Sequence, residues 1–446
     1  MFKNKIKEVW ILVIIIILSR LPFIFNSIGC DYDIWREAFS GKMIREQHIY
    51  NVSRFPGYPF SEFLFSLIYK FPYCLINSFS VLFTIGSAIF FYEILLLKKN
   101  KQSFLISLAF SFVPIIFINS TVAMDYNWSL FFILACTYYL MKEKIITASI
   151  FFGLIISTRF NNIIFFLPFL YFIYTEFQEK RIIYTTRFFL SATFFSLLFF
   201  SPVIIRYDGK FLYHYGADEI SLKQIISLST LYIFGFIGCL SLFLFSIKQF
   251  WVDRKIITIN YFRIDKDNFM LFSAIMVFIN LLFFIKFPLE AGYLTPSVPF
   301  LFIIFSNFLS KQSMKLYLIS MFISPFFLLL TAQKFDILGI VFSNEKMENQ
   351  QLKNSAILLD KIEKLHKNSV VLVSSSYDHL LFLKGGNGFA KKKLLKEITL
   401  SELKTLKKKK IPFFYTEEAK ELSNKQVSVS LEKFGKSIHP IFINER

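Results

Sequence analysis

The chain alternates long apolar runs with short polar loops over about three quarters of its length. The runs are rich in Phe, Ile and Leu and last roughly 16 to 22 residues, the length that an α-helix needs to cross ~30 Å of hydrocarbon. They lack the alternation of apolar and polar positions that is typical of an outer-membrane β-barrel. The pattern therefore predicts an all-α polytopic membrane protein. About eleven spans are expected, at residues 10–28, 76–97, 103–119, 126–141, 145–158, 162–177, 188–205, 225–247, 269–286, 293–310 and 316–332.

Composition agrees with a lipid bilayer as the main partner of this chain. The 446 residues are 55% hydrophobic and include 61 Phe. The net charge of +19 would suggest nucleic-acid binding in a soluble protein, but here many of the cations lie in short loops between apolar runs. We therefore expect no nucleic-acid partner. The four cysteines have no close spacing, so neither a disulfide framework nor a cysteine metal cluster is indicated.

Charge in the loops predicts the orientation of the chain. By the positive-inside rule, the lysine- and arginine-rich loops face the cytoplasm, and they alternate with loops that carry fewer cations. The N-terminal segment is interpreted as an uncleaved first span. Its lysines then place the N-terminus in the cytoplasm, and the protein is expected in the inner (plasma) membrane. The basic loops contain Lys3, Lys5 and Lys7; Lys98, Lys99 and Lys101; Lys142 and Lys144; Lys180, Arg181 and Arg187; Lys248, Arg254, Lys255, Arg263 and Lys266; and Lys311 and Lys315.

Two domains are predicted. Residues 1–332 form a transmembrane domain whose first outer loop, residues 29–75, contains two helices that lie along the membrane interface. An odd number of spans places residues 333–446 outside the cytoplasm, where charge rises and Phe becomes rarer. A helix at 345–366 and strands at 369–376, 411–416 and 439–443 indicate a small extracytoplasmic α/β domain.

Candidate chemistry collects on the outer side. Asp31 and Asp33 follow the first span directly, and a carboxylate near a low-dielectric boundary is a candidate general base. Each ionisable group could instead anchor the end of its helix, with its charge reaching water. Further outer-side candidates are Asp125 at the start of the fourth span, Arg159 between spans five and six, Arg206 at the exit of span seven, His214 in the next outer loop, and Glu290 and Tyr293 before span ten.

Several motifs resemble the GT-C superfamily of polytopic glycosyltransferases, which includes protein O-mannosyltransferases and bacterial lipid A aminoarabinose transferases. The first span ends in "SRLPF" (residues 19–23) and is followed by the acidic pair "DYD" (31–33) and by Trp35, Ala38 and Gly41. Tyr50 then leads to the step "PGYP" (56–59). Later segments that resemble the superfamily are "MDYNWSLFFILACTYYLM" (124–141), "ASIFFGLIISTRFN" (148–161) and "YLTPSVPFLFI" (293–303).

The resemblance implies a transferase that takes a sugar from a polyprenyl-phosphate-linked donor at a site facing away from the cytoplasm. Asp31 or Asp33 would be the base that activates an acceptor hydroxyl, and a single displacement would invert the anomeric carbon, by analogy with inverting glycosidases. Because the tail lacks the beta-trefoil of the eukaryotic mannosyltransferases, we expect an envelope glycan or lipid acceptor. The other implied roles are acceptor or metal positioning by Asp125, a possible Mg²⁺ or Mn²⁺ site at Asp33 and Asp125, binding of the lipid phosphate by Arg159 and Arg206, and a substrate cavity that includes Arg54, Tyr58, His214, Glu290 and Tyr293.

Two other functions are compatible with parts of the pattern. A transporter or flippase for a lipid-linked glycan would explain the outer charges as a substrate path, but it predicts charged side chains at mid-depth in the bundle, and the spans contain few. A polymerase or ligase of surface polysaccharide would normally place its large catalytic loop later in the chain than residues 29–75.

Overall fold

A computed structural model of the chain describes residues 2–212, 220–252, 268–365, 368–374, 376–384 and 393–438. Its first two thirds are helical, with 3₁₀ turns at Leu21–Phe23, Phe160–Phe165, Asp208–Leu212 and Ala291–Ser297. The helices are α1 (Phe2–Arg20), α2 (Tyr32–Gln47), α3 (Pro59–Ile68), α4 (Tyr73–Leu97), α5 (Ser103–Ser111), α6 (Pro114–Asn119), α7 (Tyr126–Met141), α8 (Ile145–Thr158), α9 (Phe166–Glu176), α10 (Arg181–Tyr207), α11 (Leu222–Ser229), α12 (Leu231–Val252), α13 (Asn268–Lys286), α14 (Val298–Phe308) and α15 (Lys311–Ile323).

The remainder of the described chain mixes strands and helices. A hairpin of β1 (Phe327–Leu330) and β2 (Phe335–Leu338) follows α15. The elements after it are α16 (Ile340–Lys364), β3 (Val370–Leu372), α17 (Ser376–Lys384), β4 (Lys393–Leu395), α18 (Leu400–Lys408), β5 (Phe413–Tyr415), α19 (Glu417–Glu421), α20 (Lys425–Phe434) and β6 (Lys436–Ser437).

The chain divides into two compact units. The first, which we call the membrane unit, comprises Met1–Ile28, Phe55–Ser61 and Phe71–Glu345; the second, the loop–tail unit, comprises Gly29–Arg54, Glu62–Lys70 and Lys346–Arg446. This division differs from the predicted boundary at 332/333 in two ways. The β1–β2 hairpin belongs to the membrane unit, and most of the first outer loop clusters with the tail rather than with the transmembrane helices.

The membrane unit has the features of a multi-pass membrane protein. Five of its described helical segments are long and apolar enough to cross a bilayer: Tyr73–Leu97, Arg181–Phe211, Leu231–Trp251, Asn268–Lys286 and Ala291–Phe308. On α10, apolar side chains such as Leu190 and Ile205 are 62% and 80% exposed. In water such a surface would be unfavourable, whereas a bilayer covers it with hydrocarbon. The mostly helical membrane fold expected from the sequence is therefore confirmed.

Several of the predicted spans are not single helices, and two of them depart most clearly from the prediction. The run at 103–119 is broken into α5 and α6 because the ring of Pro114 excludes helical backbone at the preceding residue, and Val113 accordingly has φ −57° and ψ 128°. The run at 316–332 is helical only to Ile323. Beyond it the chain passes Pro325 and forms β1, so the predicted eleventh span was wrong in its second half.

A buried arginine joins the end of α1 to two neighbouring helices. Arg20 is fully buried; its Nε donates to Ser120 Oγ at 3.0 Å, and its Nη2 donates to the carbonyl oxygen of Ser111. Ser111 is the last residue of α5 and Ser120 follows α6, so the guanidinium lies at two helix C-termini, where the helix dipole favours a cation. The rings of Phe112 and Phe117 lie 4.9 and 4.1 Å from its Cζ.

The loop–tail unit is built around a short parallel sheet of order β4-β3-β5-β6. The strands at β3 and β5 and the helix α16 lie where the sequence predicts them, while the expected strand at 439–443 lies outside the described residues. The apolar faces of β3 and β5 are buried, with α18, α19 and α20 contributing to the core on one face of the sheet. The other face packs on α16 and α17. The predicted small α/β fold is thus present.

Candidate active site

The helix α2 begins immediately after Asp31, and this carboxylate stabilises its first turn. The backbone at Asp31 is extended (φ −73°, ψ 129°), and its Oδ1 accepts a hydrogen bond from the N–H of Asp33 at 2.8 Å. Asp31 is therefore the N-cap residue, and Asp33 lies in the first helical turn. Both acids lie at a helix N-terminus, whose partial positive charge attracts acidic side chains.

Asp33 is held by two arginines of the loop–tail unit. Its Oδ1 lies 2.9 Å from Nη1 of Arg36, one turn along α2, and its Oδ2 lies 3.0 Å from Nε of Arg54. The same Arg54 donates from Nη1 to Glu37 Oε1 at 2.9 Å. Because Asp33 and Glu37 are four residues apart, they lie on one face of α2 and bind one guanidinium between them. Arg54 thereby fixes the end of the outer-loop segment to this helix.

A second buried acid fixes the chain just before Arg54. Glu62 on α3 is fully buried, and it accepts hydrogen bonds from the hydroxyl of Tyr50 at 2.7 Å and from the N–H of Ser53 at 2.6 Å. Burial raises the pKa of Glu62, while the hydrogen bonds from Ser53 and Tyr50 and the charge of Arg54 act in the opposite direction. These contacts give residues 50–54 a defined conformation and so orient Arg54 toward α2.

In the membrane unit, three of the predicted site residues lie around a fourth, Arg159. This residue follows the end of α8, is 3% exposed, and pairs through Nη1 with Oδ1 of the fully buried Asp125. Its Cζ lies 3.8 Å from the ring centroid of Tyr126, 5.4 Å from that of Tyr293 and 5.6 Å from that of Tyr58. A planar guanidinium stacks favourably on such rings, so the carboxylate and the three tyrosines fix both its charge and its orientation.

Glu290 is connected to the same cluster through a tyrosine. The hydroxyl of Tyr126 donates a hydrogen bond to Oε2 of Glu290. The ring of Tyr126 also lies against Gly292, where an added Cβ would come within 2.3 Å of the ring. Only glycine permits that approach, so the sequence "EAGY" serves to bring Glu290 and Tyr293 next to α7.

The buried charged groups among the described residues of the membrane unit lie at helix ends. Among its described residues, the buried charged side chains are Arg20, Asp125 and Arg159, which lie at the end of α1, the start of α7 and the end of α8. Arg206 is also terminal, in the last turn of α10, but it is exposed. A path of charges at mid-depth, as expected for a transporter, is not seen in the described part of this unit.

The predicted site residues are divided between the two units. Asp31, Asp33 and Arg54 belong to the loop–tail unit, and Tyr58, Asp125, Arg159, Glu290 and Tyr293 to the membrane unit. Arg206 also belongs to the membrane unit, whereas His214 lies outside the described residues. Their catalytic and binding roles stay predictions.

The contacts of Asp33 and Asp125 bear on the expected Mg²⁺ or Mn²⁺. Asp33 has a guanidinium nitrogen within about 3 Å of each oxygen, and Asp125 pairs with Arg159. Arginine thus supplies the neutralising charge at both carboxylates, whereas Mg²⁺ requires oxygen ligands in near-octahedral geometry. The metal site at Asp33 and Asp125 stays a prediction, and we derive no step through a metal.

Contributors to these arrangements that were missed in the sequence include Glu37, Glu62 and His379. The four-residue spacing of Asp33 and Glu37 on a predicted helix was a usable signal for Glu37, since it places two acids on one face. Glu62 lies in an apolar run, where an unexplained acid indicates a buried partner. Nothing local indicates His379, whose contacts depend on a residue more than 340 positions away.

His379 of α17 is a buried, neutral partner for α2. Its ring stacks on that of Trp35 with centroids 3.9 Å apart, and its Nδ1 lies 3.3 Å from the hydroxyl oxygen of Ser355. Burial lowers the pKa of His379 from 6.5 to about 4. The stacked ring therefore remains uncharged at neutral pH and packs against Trp35 as an apolar surface.

This lowered pKa predicts an acid-sensitive loop–tail unit. Between pH 6.5 and about 4 the unfolded chain binds a proton that the folded chain does not, so the stabilisation is complete above pH 6.5 and falls as the pH drops. By pH 5 we expect a loss of about 2 kcal/mol in the opening free energy of α17. Hydrogen–deuterium exchange of Ser376–Lys384 in the full chain, corrected for intrinsic rates, measures this opening free energy.

The control variant is His379→Phe, which keeps an aromatic ring. It should remove most of the pH dependence of the opening free energy, and an equal dependence on pH in both proteins would contradict the prediction.

Comparison with known proteins supports the fold but not yet a reaction. The sequence matches no protein-family model and no curated protein. The structure is similar to the crystal structure of ArnT from Cupriavidus metallidurans in the apo state, with a TM-score of 0.55 over 96% of this chain and 88% of that chain. The chain therefore shares its overall fold with that protein. At 11% sequence identity the likeness establishes architecture alone, and it confirms at that level the resemblance seen in the sequence.

Proposed function

We propose that this chain is a membrane glycosyltransferase of the GT-C type. It would transfer a sugar from a polyprenyl-phosphate donor to an envelope glycan or lipid, on the extracytoplasmic side of the plasma membrane. The fold shared with ArnT supports this class. The observation that carries the chemistry is the difference between the two acids at the start of α2: arginines engage both oxygens of Asp33, and Oδ1 of Asp31 caps the helix.

That difference favours Asp31 as the base. A hydroxyl that approached Asp33 would have to displace a guanidinium from an ion pair at 2.9 or 3.0 Å. We assign Asp33 a positioning role, in which it holds Arg54 and Arg36 around the first turns of α2.

The transfer step needs few groups because the donor already carries a good leaving group. The acceptor oxygen forms a bond to the anomeric carbon, the bond from that carbon to the phosphate oxygen breaks, and the hydroxyl proton moves to Asp31. The polyprenyl phosphate departs with the electron pair and one additional negative charge, which a nearby cation stabilises. Displacement in one step inverts the anomeric carbon.

An apolar groove of the membrane unit supports a polyprenyl donor. It has a volume of about 220 Å³ and lies between α8, the turn Phe160–Phe165 and α10, with walls that include Phe152, Phe160, Phe166 and Phe200. Arg159 directly precedes Phe160, and Arg206 lies two residues beyond the lining residue Ile204. Arg206 is exposed in the last turn of α10, so we assign it contact with the lipid phosphate, and we assign Arg159 to the donor side of the site.

Transfer can be measured with the purified full chain in proteoliposomes. We expect label from undecaprenyl-phosphate hexoses or pentoses to appear in envelope glycolipids supplied as acceptors, with equimolar release of undecaprenyl phosphate and an inverted anomeric configuration by NMR coupling constants. Heat-inactivated protein is the control. Movement of the donor across the vesicle bilayer without transfer to any acceptor would instead indicate a flippase and reject the proposal.

A further inference from the structure

The loop–tail unit contains a cavity that the proposed transfer step does not explain. Its volume is about 590 Å³, within the range of about 300 to 1,000 Å³ that is usual for small-molecule sites. Its walls come from the start of α2, from α16 and α17, and from the start and end of α19. Because every lining residue belongs to the loop–tail unit, the cavity is a property of that unit alone.

One wall is rich in groups that form hydrogen bonds. Gln350, Gln351 and Asn354 on α16 contribute three carboxamides. Gln351 donates from Nε2 to the carbonyl oxygen of Cys30 at 3.0 Å, while its buried Oε1 has no hydrogen-bond partner within the described part of the chain. His379 also lines the cavity and is 1% exposed, and its Nε2 likewise has no hydrogen-bond partner within the described part of the chain. An unsatisfied buried polar atom costs about 1–3 kcal/mol, so polar ligand atoms reaching this wall would relieve that cost.

The charge of the cavity disfavours an anion. Three carboxylates, Glu417, Glu418 and Glu421, line it from α19, and its described lining contains neither lysine nor arginine. Burial, and then the negative charges of Glu348 and Asp31, raise the pKa of the Cys30 thiol to about 12, so two further carboxylates act on this lining residue. A phosphate or a uronic acid would therefore be repelled, whereas a neutral or amine-bearing molecule would not.

Apolar side chains complete the lining of the cavity. Tyr32, Met347 and Leu358 present apolar faces among the amides and hydroxyls, an alternation typical of ligand sites in which a few polar groups fix orientation. A sugar ring has the complementary surface, with hydroxyls at its edge and C–H groups on its faces. We propose that this cavity binds a saccharide that carries no negative charge.

The position of the cavity indicates which saccharide this is. Cys30 and Tyr32, the two chain neighbours of Asp31, both line it. A glycan held there would present a hydroxyl close to the residue that we assign as the base. The bound saccharide is thus the acceptor glycan, and this last step rests on the proposed function, whereas saccharide binding by the cavity does not.

Binding can be tested without a donor. The full chain in detergent is titrated by calorimetry with three probes: diacetylchitobiose, which is neutral; the corresponding glucosamine disaccharide, which carries amines; and a disaccharide with a glucuronic acid. We expect the first or the second to bind and the third to bind at least tenfold more weakly.

Three variants test the walls of the cavity. Gln350→Leu on the exposed surface of α16 and Gln351→Leu should each weaken saccharide binding about tenfold, and Glu421→Gln should weaken binding of the amine-bearing probe only.

Glu397→Gln, an exposed change of the same type outside the cavity, is the matched control and should bind as the wild type does. Absence of binding by all three probes, preference for the glucuronic acid, or equal binding by the wall variants would overturn the inference. Since Gln350 is exposed, its replacement tests the cavity even where Gln351→Leu fails to fold. A chain that transfers sugar but binds no probe refutes this inference alone, and a chain that binds a probe but transfers nothing refutes the proposed function alone.

Discussion

Asp31→Asn is expected to lower the rate of sugar transfer about 10²- to 10⁴-fold, the range for loss of a general base. The change leaves the fold intact, because asparagine is as good an N-cap as aspartate and its amide oxygen can accept the same bond from the N–H of Asp33. Initial rates with a labelled undecaprenyl-phosphate sugar measure the loss. Thermal unfolding of the same preparation should differ from wild type by less than about 1 kcal/mol.

Two further variants make this experiment decisive. Glu46→Gln removes one negative charge from the exposed end of the same helix and keeps the acceptor for Tyr69, so it should retain wild-type rates. Asp33→Asn should reduce stability, because it weakens the pairs with Arg36 and Arg54. If Asp33→Asn eliminated transfer with normal unfolding while Asp31→Asn remained active, the two roles would have to be exchanged.

The sequence predicts the architecture well where local chemistry decides it. Long apolar runs become helices, and α2 and α3 form inside the outer loop as expected. The break at Pro114 could also have been predicted, since proline restricts the residue before it. The N-cap role of Asp31 likewise has a local signal, an aspartate directly before a helix with a second acid in its first turn.

Contacts between distant parts of the chain explain what the sequence did not show. The guanidinium of Arg54 could serve a substrate or a neighbouring acid, and only folding shows that Glu37 and Asp33 bind it. The stacking of Trp35 on His379 and the cavity beside it join α2 to helices of the tail. The division into two units differs from the predicted domain boundary for the same reason: composition changes near residue 333, whereas packing joins the outer loop to the tail.

The Asp125–Arg159 pair supports the second large prediction. Both side chains are buried, at 0% and 3% exposure, so removal of either leaves an uncompensated charge in a low-dielectric setting. Arg159→Met and Asp125→Asn should each destabilise the membrane unit by about 3–5 kcal/mol. In the double variant neither charge remains. It should therefore be more stable than the sum of the single losses by about 2 kcal/mol or more, as measured by thermal unfolding in detergent.

Transfer by the double variant separates a structural pair from a functional one. If Arg159 only holds the end of α8 to α7, restored stability restores activity. If it also stabilises the departing phosphate, as we propose, the double variant folds but transfers sugar about 10²- to 10³-fold more slowly, the usual effect of losing one group that stabilises developing negative charge. Arg159→Lys adds a third point, because it keeps the charge but loses the planar stack on Tyr126. Normal transfer by the double variant would limit Arg159 to a structural role and leave Arg206 to bind the phosphate.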